Sequence, residues 1–269
     1  MADNLFAGRR GPAAPNSARP FAECYVAFLD ILGYRAIIEA HKERGSACDQ
    51  IARFERMLDE ALRAYARRDG DAHWISARAF SDNFCFAGRT GGRATVSTFL
   101  AAVSHVTYRL ALDGIFVRGA VVRGLHYDSE RLIYSPALVS AYDIERTWAF
   151  YPRVVVDDQV HAEYSRWVDS TPPERREHPH QGLWRDPADG CAFVNYLLVA
   201  ASFQEGRDSQ LLRKHKQAIE AKLLEFVKTP RIRAKYAWSA AYHNRFCREH
   251  GYVDGGLMVN DLLPDESES

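Results

Sequence analysis

The sequence predicts an α/β protein, an α+β sandwich with a ferredoxin-like βαββαβ core and helical additions toward its C-terminal end. Three observations carry this. Apolar patterning runs in the order strand, helices, hairpin, helix, strand, helix, strand. Residues 74–86 read as two short strands folded about Ser81-Asp82-Asn83. After residue 200 the spacing turns helical and stays so. Such an order puts the helices on one face of a mainly antiparallel sheet and leaves the other face free for a partner.

Each element has its own warrant. Residues 1–20 are rich in Ala, Pro, Gly and Arg and read as a disordered lead. Residues 25–29 form an apolar run that fits a buried strand. The strand ends in Asp30, the chain turns at Gly33, and a helix-like segment follows with Ile37 and Ile38 on one side. A second helix is marked by Ile51, Phe54, Met57, Leu58, Ala61, Leu62 and Tyr65 at spacings of three and four. The hairpin around Asp82 comes next. Another helix carries Val96, Phe99, Leu100, Val103, Val106 and Leu110, and Asp113-Gly114 stops it.

Residues 115–125 are a strand, residues 127–130 a turn, and residues 132–134 a short strand. Ser135-Pro136 is a helix start. Val154-Val155-Val156 is a buried strand, and Asp157 caps a further helix. Residues 171–189, with four prolines and many charges, read as a long surface loop, and residues 191–199 as the last strand. Helices at 209–228 and 231–249 close the chain before an acidic tail. The expected organisation is therefore a lead at 1–20, a core at 21–200, C-terminal helices at 201–260 packed on it, and a disordered tail at 261–269.

Composition narrows the function classes. Lysine plus arginine and aspartate plus glutamate both number 35, so no excess positive charge is available to hold a nucleic-acid backbone. The apolar run at 193–203 is too short to span a bilayer. Arg9 and Arg10 have no apolar stretch behind them, so no secretory signal is expected. Five cysteines, Cys24, Cys48, Cys85, Cys191 and Cys247, form no CxxC pair. Reduced, mostly buried thiols and a cytoplasmic setting fit them best.

The chemistry concentrates on Asp30 and Asp82. A lone aspartate at a strand end is ordinarily a helix cap or an ion-pair partner. Beside one another at a sheet edge, however, two carboxylates repel and require a proton or a cation between them. Hard oxygen donors at a strand end and a tight turn suit Mg²⁺ or Mn²⁺.

These residues resemble the catalytic domain of class III nucleotidyl cyclases over roughly residues 22–160. Phe28, Asp30, Ile31, Gly33 and Tyr34 match that family's F-x-D-I-x-G-F/Y pattern, and Ser81-Asp82 stands in the place of its G-D hairpin. Arg118, Gly119 and Gly124 approximate its R-x-G-x-x-x-G strand. A narrower run is similar to the pyrimidine cyclases of bacterial Pycsar phage-defence systems. It comprises Arg118-Gly119-Ala120, residues 134–142, Glu145 and residues 151–157. Residues 235–238 and Tyr242-His243-Asn244 extend it.

The resemblance implies conversion of UTP or CTP to the 3′,5′-cyclic monophosphate in the cytoplasm on infection, with a separate effector sensing the product. It implies two divalent cations, Mn²⁺ or Mg²⁺, held by Asp30, Asp82 and the Ile31 carbonyl, and a homodimer with shared active sites. Phe28, Gly33, Tyr34, Arg78 and Arg118 would face the nucleotide. Alternatives stay open residue by residue. Arg118 contacts the triphosphate or snorkels to solvent, and Arg78 reads the base or is an exposed strand residue. Tyr34 stacks on the base or fills the core. Trp238, Tyr242 and Phe246 fit core packing better than a site, and Lys235 and His243 are weak phosphate candidates.

The sequence also departs from the family. Where the family's helix carries an Asn and, four residues on, a transition-state Arg, this chain has Val139 and Asp143. Either Arg146, one turn later, or a residue of the C-terminal helices substitutes, or the chain is inactive; divergence rather than decay is the expectation. A non-catalytic nucleotide-sensing module and a purine cyclase are the competing readings.

Overall fold

The computed structural model describes residues 21–44, 52, 55, 56, 75–91, 95–129, 131–172, 182–201, 207–253 and 256–260. The helix expected around Ile51 to Tyr65, the N-terminal lead, the acidic tail and Cys48 lie outside the described residues, save that 52, 55 and 56 are helical.

The chain runs β1 (Ala22–Ile31), α1 (Tyr34–Arg44), β2 (Ile75–Phe80), β3 (Asn83–Arg89), α2 (Val96–Leu112) and β4 (Val117–Asp128). It continues with β5 (Ile133–Tyr134), α3 (Pro136–Trp148), β6 (Val154–Val156), α4 (Asp158–Ser170), β7 (Leu183–Arg185) and β8 (Ala192–Val194). Three helices follow: α5 (Leu198–Ala201), α6 (Arg207–Glu225) and α7 (Pro230–Glu249). The sheet order is β2-β3-β1-β4-β6-β8-β7, with β5 pairing β4. Among the described residues only the β4–β6 pair is parallel. The fold is thus the mixed, mainly antiparallel βαββαβ sandwich that the sequence predicts.

The helix boundaries follow local chemistry. Thr95 and Thr98 form a reciprocal capping box at the start of α2. Asp113 ends α2, and Gly114 takes a positive φ of 75° just beyond. Ser135 accepts from the Leu138 N–H with Pro136 in the first turn of α3. Asp157 accepts from the Val160 N–H and caps α4.

Strand alternation then sorts β1 between two cores. Tyr25, Ala27, Leu29 and Ile31 pack with α2 and α4, whereas Cys24, Val26 and Phe28 pack against Ala137 and Ala141 of α3. This corrects the expectation of a bare second face, because α3 covers part of it. A third core joins Tyr108 and Phe116 to the C-terminal helices through Leu212, Ile219, Tyr242 and Phe246.

Three boundaries move. β4 continues through Asp128 where a turn was expected, because Tyr127 and Asp128 pair with β5. The loop expected at 171–189 contains β7, held at the sheet edge by β8 and buried at Leu183 and Trp184. The last strand stops at Val194, and the chain turns into α5, packed by Leu197 and Ala200. Cys24, Cys85 and Cys247 are buried free thiols and Cys191 is half-buried. No helix among the described residues is long and apolar enough to cross a membrane.

Candidate functional site

Asp30 lies at the end of β1, on the side of the strand that also carries Val26 and Phe28. The β2–β3 hairpin closes in two residues, Ser81 and Asp82, since Phe80 pairs Asn83. Ser81 adopts φ 57°, the left-handed conformation in which glycine is the easy residue. The Ile31 N–H donates to the Asp82 carbonyl at 2.8 Å, which ties the hairpin tip to the end of β1. The hairpin thus lies beside β1, and Asp30 and Asp82 come together at one end of the sheet. The Asn83 amide donates to Asp82 Oδ1 at 3.0 Å.

Arg118 stands directly across from Asp30 on β4. Its Nε–H donates to Asp30 Oδ2 at 2.8 Å. Beside it, Gly119 is obligatory in this register: a Cβ there would sit 2.2 Å from the Phe28 carbonyl oxygen. The same Arg118 Nε is 2.8 Å from Glu145 Oε1, yet that oxygen accepts no hydrogen bond among the described residues. Nε has a single hydrogen, and it points at Asp30. Glu145 is 3% exposed. It comes from α3, on the inward stripe with Ala137 and Ala141 at intervals of four.

Charge here is tightly coupled. Burial pushes the Asp30 carboxyl above its usual range, Arg118 pulls it back, and Asp82 adds to the rise. Burial likewise raises Glu145, against the pull of Arg118. Lys235 reaches in from α7, half-buried, with its ammonium 5.3 Å from the centre of the Phe150 ring. Burial and Arg118 lower its pKa, with Asp30 and Glu145 opposing. Two carboxylates and two cations from β1, β4, α3 and α7 thus meet beside the Asp82 hairpin.

The remaining predicted residues divide. Arg78, on β2, is fixed by Asp128 and by the Ser129 carbonyl. Its Nε and Nη2 each donate to Asp128 Oδ1 at 3.2 Å, and Nη2 also donates to Ser129 O at 2.9 Å. By register Arg78 lies level with Ala120, so the far end of β4 curves back over this face to meet it. Gly33 turns the chain at φ 76° ahead of α1. Tyr34 packs on the core, which favours its packing role.

Phe28 is a correction. It is 5% exposed and lies edge-on to Tyr142 beneath α3, because strand alternation turns it into that core. His243 is another, since it is wholly buried between α6 and α7. Arg118 and Arg78 have carboxylate partners rather than free guanidinium heads. Arg146 is exposed on α3, and the inward position belongs to its neighbour Glu145. Val139 is 61% exposed and Asp143 is exposed as well. Trp238, Tyr242 and Phe246 are core residues, as their spacing suggests.

Sequence reasoning passed over Glu145 and Asp128 as site residues. The Ala137-Ala141-Glu145 stripe was the available signal for the first. Asp128 carried none, because its segment looks like a turn until β5 pairs with it.

The donor set fits a hard divalent cation in kind. Asp30 and Asp82 offer carboxylate oxygens, and Asp82 lies close enough for its charge to act on Asp30. The described residues contain no group of three or more acidic, histidine or cysteine side chains placed for a metal. A cation held here would thus take two carboxylates, with backbone carbonyl or water completing its shell.

No protein-family model and no curated protein matches the chain. Among solved structures it is similar to the adenylyl cyclase CyaB from P. aeruginosa, with a TM-score of 0.40 and 13% identity over 54% of this chain and 81% of that one.

Proposed function

We propose that the chain is a divalent-cation-dependent nucleotidyl cyclase acting on a pyrimidine nucleoside triphosphate, UTP before CTP, as a homodimer. The supporting observation is the Asp30–Asp82 pair, joined through the Ile31–Asp82 backbone bond at one sheet end, with Arg118 across the strand. In this reading Asp30, Asp82 and the Ile31 carbonyl hold Mn²⁺ or Mg²⁺. Cations held there would supply charge stabilisation while the ribose 3′-hydroxyl gives its proton to solvent, its oxygen bonds to the α-phosphorus and diphosphate leaves.

The protein's own groups orient and neutralise. Arg118 and Lys235 present positive charge to the triphosphate oxygens, where negative charge builds. The turn at Gly33 opens α1, whose first N–H groups favour an anion. Arg78 reads the base. Asp128 and Ser129 engage its Nε and Nη2, which leaves Nη1 as a donor-only head. Uracil offers two carbonyl acceptors to such a donor, whereas cytosine also brings an amino group that finds no partner in it. The cyclic product would serve a separate effector in antiviral defence.

A non-catalytic nucleotide-sensing module is the second reading, and one observation favours it. Asp30 is already compensated by Arg118, so the carboxylates need no metal to persist. Incubating the purified protein with each of the four nucleoside triphosphates and Mn²⁺, and identifying products by mass, separates the two. Cyclic UMP is expected first in an equimolar mixture of UTP and CTP. Predominant cyclic CMP reverses the order, predominant cyclic AMP or GMP overturns the pyrimidine assignment, and no cyclic product leaves the sensing reading.

A further inference from the structure

The geometry points to Glu145 as a positioning residue that receives Arg118 when a cation takes Asp30. Two facts carry this. A single nitrogen, Arg118 Nε, lies 2.8 Å from both Asp30 Oδ2 and Glu145 Oε1. Its one hydrogen serves Asp30, and Glu145 Oε1 is left buried with no hydrogen bond.

A buried carboxylate oxygen without a donor costs free energy, so a fold that keeps one invites a second state in which it is satisfied. Here that state requires only a small reorientation of the guanidinium from one acceptor to the other. A divalent cation at Asp30 competes with Arg118 for the same oxygens and repels its charge. Glu145 makes the exchange inexpensive: Arg118 leaves one buried carboxylate for another already within contact. The hand-over also frees Asp30 and keeps Arg118 beside the site, where it is available to phosphate oxygens.

The inference rests on the cation reading of Asp30 and Asp82. It differs from a simple third-ligand role for Glu145, which would act on the cation directly and would not depend on Arg118. A double-mutant cycle separates these, with Mn²⁺ alone as the probe and binding read by electron paramagnetic resonance in the absence of nucleotide.

Glu145→Gln should weaken Mn²⁺ binding by roughly tenfold, because the displaced guanidinium loses its charged acceptor. Arg118→Gln should bind Mn²⁺ more tightly than the wild type, because the competitor at Asp30 is gone. In the Arg118→Gln background, Glu145→Gln should change affinity by less than about twofold. Glu145→Asp, with the charge kept but withdrawn by one methylene, should fall between wild type and Glu145→Gln, and it keeps the test open should the glutamine variant fold poorly. Equal losses from Glu145→Gln in both backgrounds overturn the hand-over in favour of direct ligation or general electrostatics. Failure of the wild type to bind Mn²⁺ at Asp30 and Asp82 overturns the cation reading, and the hand-over falls with it.

Discussion

Two of the buried polar clusters among the described residues are built on opposite plans. Among the C-terminal helices, His215 and His243 share a hydrogen bond between their Nδ1 atoms at 2.9 Å. His215 Nε2 meets the Tyr196 hydroxyl at 3.1 Å, and His243 Nε2 meets the Leu257 carbonyl at 2.9 Å. One set of neutral tautomers satisfies the whole chain: His243 donates to Leu257, His215 donates to His243, and Tyr196 donates to His215. At the end of β1, by contrast, Arg118 is contested by two carboxylates and Glu145 keeps an oxygen without a hydrogen bond. The first network is closed, and a closed network rigidifies. The second is left open, as expected where a ligand completes it. Polarity and burial alone therefore do not mark a site; what sets the Asp30 end apart is one guanidinium nitrogen within 2.8 Å of two carboxylates.

The sharpest way to break this contrast is at the aspartates. Asp30→Ala or Asp82→Ala should reduce cyclic nucleotide formation by about a thousandfold or more, since each removes a ligand of the charge-stabilising cation. The urea midpoint should barely move. Full turnover by either variant in metal-containing buffer would sink the two-carboxylate reading.

The closed network should behave in the opposite way. His243→Ala leaves His215 and the Leu257 carbonyl without their partner and opens a hole in the core. It should cost about 2–4 kcal/mol in urea unfolding while turnover per folded molecule is kept. A stable but inactive variant would place these histidines in the chemistry after all.

Acid offers a finer probe of the same network. Burial lowers the His243 pKa from 6.5 to about 4, and burial together with His243 holds His215 well below its usual value. Both are neutral in the folded protein and take up protons more readily once unfolded. The His243 contribution is fully present above pH 6.5 and is lost as the pH falls toward about 4, reaching about 3 kcal/mol, and His215 adds to it in the same direction. Urea midpoints at pH 7 and pH 5 test this, and His215→Phe, if it folds, should reduce the difference by His215's share while that of His243 persists. An equal acid response in that variant would remove His215 from the pH dependence.

The smallest effect concerns the hairpin. Ser81→Gly, at φ 57°, should stabilise by about 0.5–1 kcal/mol, because the left-handed turn no longer strains a Cβ. A loss of stability would mean that the serine side chain holds the tip in place.

The sequence by itself determined the order of the core elements, the capped starts of α3 and α4 and the Ser81-Asp82 turn, whereas the convergence of Asp30 with Asp82 waited on the pairing of β1 with β3. The former rest on local chemistry: periodicity, caps and turn residues act over a few positions. Only the tertiary structure decided which face each residue serves. Phe28 looked like a nucleotide contact until α3 covered it. Asp128 looked like a turn residue until β5 paired with it and β4 brought it to Arg78. Glu145 became part of the site because a helix stripe 115 positions after Asp30 settles on the same strand end. No local rule encodes which distant carboxylate a buried guanidinium will share; packing of the whole sheet decides it.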